Sequence, residues 1–172
     1  SRAIVVIPAR YESTRLPGKM VRTVAGRPLI QWTWKAVCAS KAAHEVVVAT
    51  DSTEIEQTLK PLGASVCRTR ADHISGTDRV AEATQNDPAD IVINVQGDEP
   101  LIEPTLIDAL IETLQNEPVW DMVTAATDLL WQDADDPGAV KVVCDKQGSA
   151  LYFSRSPIPY VRDSEEAASA GK

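Results

Sequence analysis

The chain has 172 residues, of which 44% are hydrophobic and 24% charged, and its formal net charge is -8. That length supports one good core, and the composition excludes a disordered chain. No uncharged run approaches the ~20 residues of a membrane helix, the first residues do not read as a signal peptide, and the acidic balance argues against a large nucleic-acid footprint.

Ala3 to Ile7 is a continuous apolar, β-branched run, the pattern of a strand covered on both faces. Pro28 then opens "PLIQWTWKAVCAS" as a helix, with proline at the first helical position where its missing N–H costs little. "EVVVAT" is a second buried strand. The helix "DSTEIEQTLKPLG" follows, begun by Asp51 with Glu54 three residues on, a capping-box-like start, and stopped by Gly63. "ASVCR" is a short third strand, "TDRVAEATQ" a helix and "DIVINVQ" a fourth buried strand. "PTLIDALIETLQN" is an amphipathic helix with Leu106, Leu110 and Leu114 at helical spacing. After "MVTAAT" and an acidic stretch with Asp133, Asp135 and Asp136, "AVKVVC" and "SALYFSR" are joined by "DKQG" as a hairpin. Repeated strand–helix alternation predicts an α/β three-layer sandwich: a mostly parallel, mixed sheet with helices on both faces and the hairpin added late. No repeat or linker splits the chain, which reads as one domain over 1–163 with a mobile tail at 164–172. Cys38, Cys67 and Cys144 are too scattered for a zinc site and odd in number. They are expected as small core hydrophobes in a reducing compartment, which places the protein in the cytoplasm.

Three clusters follow successive strands, where parallel sheets bind their ligands. The first is "PARYESTRLPGK", which gathers Arg10, Arg15 and Lys19 among Ser13, Thr14 and Gly18 in an otherwise acidic protein. Arginine offers phosphate a planar fork and lysine a point charge, so the loop reads as the seat of a polyanion, most simply a triphosphate. It is not a Walker A loop, because Ser13 and Met20 stand where that motif needs glycine and a hydroxyl residue; G-x-G-x-x-G is absent as well. A solvated basic surface loop is the competing reading. The second cluster, "RTRADHISGTDR", sets Arg68, Arg70 and Arg79 around Ser75, Gly76 and Thr77, ahead of a helix whose free N–H groups suit a base or phosphate. His73 lies here without a visible catalytic partner and is expected to serve in hydrogen bonding; His44 belongs to no constellation. The third, "NVQGDEP", offers Asp98, with Glu99 in reserve, as an oxygen ligand for nucleotide-bound Mg²⁺, against the alternative of a plain turn.

Together "IPARYESTRLPGK", "VATD", "TRADHISGTDR", "NVQGDEP", "AVKVV" and "ALYFSRSPIPYVRD" resemble the 3-deoxy-manno-octulosonate (Kdo) cytidylyltransferase family over nearly the whole chain. The resemblance implies a Rossmann-like fold of the nucleotide-diphospho-sugar transferase type. It implies a homodimeric, Mg²⁺-dependent enzyme that moves CMP from CTP to Kdo, releases pyrophosphate and serves lipopolysaccharide biosynthesis. By similarity Arg10, Ser13, Arg15 and Lys19 hold the triphosphate, with Arg10, Lys19 and Asp98 serving the reaction itself. Arg70, Ser75, Gly76, Thr77 and Arg79 line the cytidine side, Asp98 ligates Mg²⁺, and Gln96, Arg155 and Arg162 meet the sugar acid. The family continues some dozens of residues past "IPYVRD" with a second metal-binding Asp and much of its dimer interface, so the chain is expected to continue past Lys172. Two alternatives stay open: another acidic sugar, such as an 8-amino relative of Kdo or a sialic acid, and a nucleotide-binding module without turnover.

Overall fold

A computed structural model of the chain describes residues 1–12 and 16–160. The chain divides into two compact units, Ser1–Ala125 and Ala126–Lys172. The first begins with β1 (Ala3–Ala9), every residue of which is buried. A 3-10 turn at Lys19–Val21 leads into a small hairpin of β2 (Thr23–Val24) and β3 (Arg27–Pro28), then α1 (Leu29–Val37). Next come β4 (Glu45–Thr50), α2 (Thr53–Leu59), β5 (Ser65–Arg68), α3 (Gly76–Thr84), β6 (Ile91–Asn94) and α4 (Pro104–Asn116). The four long strands form one wholly parallel sheet in the order β5-β4-β1-β6.

Alternation along β1 assigns the two faces. Val5 and Ile7 pack with Ile30 and Val37 of α1, Ile55 and Leu59 of α2, and Ile107 and Ile111 of α4. Ile4 and Val6 point the other way and pack with Ala49 and with Val80 of α3. Each fully buried side chain of this size stabilises by about 1.5–3 kcal/mol through removal of apolar area from water. The expected layers and both-faced first strand are therefore present.

Several local expectations shift. Pro28 is the cap residue before α1, and not its first residue. On α4 the fully buried positions are Ile107 and Ile111; Leu110 and Leu114 pack at the margin of the core, and Leu106 is exposed. The apolar stripe is wide enough for either row, and the β-branched row faces the sheet. Asp51 does not cap α2. Ser52 does, its hydroxyl accepting from the Ile55 N–H at 3.2 Å, while Asp51 turns elsewhere. Gly63 ends the helical segment with φ +75, as its position suggested. The cysteines are not core residues: Cys38 and Cys144 are exposed and Cys67 is half-buried, all as free thiols. Cys38 follows the last turn of α1 and Cys144 the end of a strand, so neither reaches an interior face.

In the second unit β7 (Lys141–Cys144) and β8 (Ala150–Ser154) pair antiparallel as their own two-stranded sheet, with Gly148 at φ +89 in the turn. A buried cation organises it. Lys141 Nζ donates to the carbonyls of Asp136, Ala139 and Arg155 at 3.0, 2.9 and 2.7 Å, which uses all three ammonium hydrogens. Leu151, Tyr152 and Phe153 remain exposed.

Candidate functional site

A cleft of about 200 Å³ opens at the carboxyl ends of β1 and β6, beside the start of α3. Divergence of two strands makes the opening. β1 and β6 pair only as far as Val6 and Asn94, after which the Val95 N–H still reaches the Val6 carbonyl at 3.1 Å. Pro8 faces the same neighbour as Val6, so its missing N–H falls where β6 has already turned away. A proline is tolerated in this central strand for that reason.

The floor is packed tightly. A Cβ on Gly97 would stand 3.1 Å from the Pro8 carbonyl oxygen and 3.2 Å from both Ile30 Cδ1 and Met20 Cε. The Gly97 carbonyl in turn accepts from the Thr33 hydroxyl at 2.8 Å. Gly76 is nearly as confined, with its would-be Cβ 3.1 Å from Gln96 Oε1. These glycines let the loop after β6, the tip of α3 and the end of β1 approach one another.

Five of the residues expected at the phosphate and cytidine subsites line the cleft. Arg10 follows β1, and its side chain has no hydrogen-bond or ion-pair partner among the described residues. Lys19 is delivered by the 3-10 turn, whose entry is fixed by Gly18 at φ +66 and a bond from the Gly18 N–H to the Tyr11 carbonyl at 3.1 Å. Ser75, Gly76 and Arg79 come from the start of α3. Ser75 and Asp78 form a reciprocal capping box at 3.1 and 3.0 Å, so these two amides are occupied. The amides of Gly76 and Thr77 have no partner among the described residues and remain available to an acceptor.

Gln96 and Asp98, expected at the sugar and the metal, line the same cleft from the loop after β6. Asp98 is not idle. Lys19 Nζ lies 2.6 Å from its Oδ2, both side chains more than a third exposed. The two residues assigned to opposite partners of a metal–nucleotide complex thus hold each other.

Other expected residues stand apart. Arg70 turns to Asp72 at 2.9 Å and does not line the cleft, and Thr77 points to solvent from the first turn of α3. Arg68 pairs with Glu56 at 3.8 Å. Arg155, in the second unit, donates from Nη1 to the Pro137 carbonyl at 2.7 Å. Ser13, Arg15 and Arg162 lie outside the described residues.

His73 has the hydrogen-bonding role expected of it: Nε2 bonds Glu82 Oε2 on α3, and the same oxygen accepts from the Arg70 N–H at 3.1 Å. The His73 bond first, and the Arg70 amide second, hold the Glu82 carboxyl below its ordinary range. The loop ahead of α3 is thereby tied back onto that helix. His44 also has a partner, accepting from the Ala3 N–H at 3.2 Å where β1 begins.

Sequence reasoning missed Asp51. Its Oδ1 lies 3.1 Å from Nη2 of Arg79, whose Nη1 donates to the Thr69 hydroxyl at 2.5 Å. The Asp–Ser–Thr run after β4 looks like a helix cap whichever residue does the capping, which hid this role.

For a divalent metal the fit is conditional. Among the described residues no group of three or more His, Cys, Asp or Glu side chains is placed to hold one. One carboxylate, Asp98, suits a cation whose remaining ligands are phosphate oxygens and water, as Mg²⁺ prefers. The cleft therefore fits a metal that arrives with a nucleotide and does not fit one caged by protein alone.

The family pattern described as cytidylyltransferase matches residues 4–169. The 3-deoxy-manno-octulosonate cytidylyltransferase of Syntrophotalea carbinolica is 46% identical over 159 residues, which is 92% of this chain and 64% of that protein. The enzyme of the same name from Escherichia coli is 43% identical over 167 residues, 97% of this chain and 68% of its own length. The chain thus spans about two thirds of the length of these curated relatives. A solved structure of CMP:2-keto-3-deoxy-manno-octonic acid synthetase complexed with CTP superimposes with a TM-score of 0.86 at 41% identity, covering 96% of this chain and 69% of that one. Cationic strand-end loops, glycine-packed floor and sequence likeness agree, and the chain belongs to the cytidylyltransferase family.

Proposed function

We propose that the chain carries the nucleotide site of a 3-deoxy-manno-octulosonate cytidylyltransferase, which transfers CMP from CTP to Kdo and releases pyrophosphate. The observation that carries this reading is the gathering of Arg10, Lys19, Arg79 and Asp98 around one cleft at the carboxyl edge of a parallel sheet. A Kdo hydroxyl attacks the α-phosphorus in line and releases its proton to solvent; the new P–O bond forms as the bond to pyrophosphate breaks. Arg10 and Lys19 offset the charge that grows on the departing pyrophosphate, and the free Gly76 and Thr77 N–H groups donate to acceptors at the nucleoside end. Position and electrostatic relief suffice, because no covalent intermediate is needed. Mg²⁺ bound by Asp98 and the phosphates would shield their charge and lower the pKa of the attacking hydroxyl. Gln96 serves the sugar acid from the cleft, and an arginine fork is suited to its carboxylate.

The product feeds lipopolysaccharide assembly. The exposed Leu151, Tyr152 and Phe153 support a homodimer, and the free thiols support a cytoplasmic setting. The test is pyrophosphate release with CTP, Mg²⁺ and, in turn, Kdo, 8-amino-Kdo and sialic acid, beside calorimetry with CTP, UTP, ATP and GTP. Turnover with Kdo and preference for CTP are expected. Equal affinity for all four nucleotides would show a site that reads phosphates alone, and turnover confined to another sugar would replace Kdo.

A further inference from the structure

Arg79 is 3% exposed and stands in the first turn of α3. Both facts count against it on stability grounds. A cation near a helix N-terminus opposes the helix dipole, and a buried ion pair is commonly no better for stability than apolar side chains of the same volume. The site nonetheless supplies three elements to keep the charge in place: Asp51 from the end of β4, Thr69 from just after β5, and α3 itself. The two strand ends are joined to each other as well, the Thr69 N–H donating to the Thr50 carbonyl at 3.0 Å. Asp51 Oδ1 is fully buried and accepts no hydrogen bond of good geometry, although the guanidinium stands beside it. This carboxylate is therefore spent on charge and orientation and not on a satisfied bond of its own.

Arg79 also lines two adjoining cavities, the cleft already described and a second of about 350 Å³ bounded by Asp51, Ser52 and Glu54. With Arg10 and His73 it is one of three residues common to both, and a side chain that rocked toward the second cavity would leave the cleft. We propose that Asp51 and Thr69 are positioning residues for nucleotide binding, which act by fixing the Arg79 guanidinium at the wall of the cleft. The inference rests on the nucleotide-site reading above and adds to it two residues that touch Arg79 and not the ligand. The occupant of the Arg79 face is an acceptor group of the nucleotide, since arginine offers only donors.

The decisive variants exchange neutral groups of similar size. Thr69→Val removes the hydroxyl, and Thr69→Ser keeps it. CTP affinity is measured by calorimetry on the whole chain, well below each variant's melting temperature. Thr69→Val should weaken CTP about tenfold, the scale of a lost hydrogen bond to a charged group, while Thr69→Ser stays near wild type. Because Thr69 acts through Arg79, its effect should vanish in an Arg79→Met background, where no guanidinium is left to position. Asp51→Asn should weaken CTP at least as much; if it fails to fold, the Thr69 pair and the double variant still decide. Equal CTP affinity of Thr69→Val and wild type, or full additivity with Arg79→Met, would overturn the inference alone. A wild-type chain that does not bind CTP would overturn the proposed function itself, and this inference with it.

Discussion

The two ends of the parallel sheet treat charge in opposite ways. Where β1 begins, Arg2 is doubly paired: its guanidinium bonds Asp87 and, at 2.7 Å, Glu45, and its own N–H donates to Asp90 at 2.7 Å. Where β1 ends, Arg10 has no side-chain partner among the described residues, and Lys19 has only the half-exposed Asp98. The same strand thus carries an arginine at each end, one neutralised by the fold and one left for something else. At the start of β1 the charge finds its partners within the chain; at its end, Arg10 is left open and Lys19 is held by an exposed partner that can let go.

The Lys19–Asp98 pair is where this contrast breaks most visibly. Lys19→Ala should weaken CTP binding or turnover by tenfold to a hundredfold, the value of a charged hydrogen bond, with little change in melting temperature because an exposed ion pair contributes ~0–1 kcal/mol. Asp98→Asn should fold normally and lose Mg²⁺-dependent turnover. It should also free Lys19, so that CTP binds more tightly than to wild type when Mg²⁺ is removed with a chelator. A fully active Asp98→Asn enzyme, or one whose metal-free CTP affinity falls, would show that the pair is structural.

At the other end the expected pattern is reversed. Arg2→Met takes the pairing cation from Glu45 and Asp87 and should cost about 1–2 kcal/mol in denaturant unfolding, yet leave CTP affinity unchanged. A change in affinity would mean that the two ends are coupled through β1, and the division of labour would fail.

Much of this was legible in the sequence, for a physical reason. Buried parallel strands read as unbroken apolar runs, and the loops behind them stood out because Arg10, Lys19 and Asp98 interrupt that pattern abruptly. The partners of those charges were not legible, since the Lys19–Asp98 and Asp51–Arg79 pairs join residues far apart in the chain and depend on strand order. The hairpin of β2 and β3 was missed because its strands are two residues each, too short for any alternation. The cysteines were misplaced because small apolar character alone does not say which face a residue at an element's end will take.

Asp108 extends the comparison to pH. Its Oδ1 accepts from the Ser40 hydroxyl at 2.5 Å and from the Ala42 and Lys41 amides at 3.0 and 2.9 Å, tying the loop before β4 to α4. The Ser40 bond, then the Ala42 amide, hold the carboxyl below its ordinary range. A lowered folded-state pKa gives stability that is present above the usual aspartate value, near 3.9, and lost as pH falls through the lowered one. Asp108→Asn should therefore cost about 1 kcal/mol at neutral pH, and its difference from wild type should shrink below pH ~4. A difference that stayed constant across that range would assign the effect to packing.

The smallest effect sharpens the contrast from the cleft side, where not every unfavourable feature serves a ligand. Ala25 adopts φ 47 in the two-residue turn between β2 and β3, next to Gly26 at φ 82. Such turns require positive φ at both central positions, which glycine accepts and alanine resists. The strain has no functional use in view: the hairpin is pinned by Trp32, whose Nε1 donates to the Val24 carbonyl at 2.8 Å and whose ring lies 4.9 Å beneath Arg27. Ala25→Gly relieves a steric cost of about 1–2 kcal/mol and gives back about 0.5–1 kcal/mol in chain entropy. The net gain, roughly 0.5 kcal/mol, corresponds to a rise of about 1–2 °C in melting temperature for a chain of this length. CTP affinity should not move. A lower melting temperature would show that Trp32 and Arg27 hold the alanine turn better than a glycine one, and a changed affinity would make this strained turn part of the site.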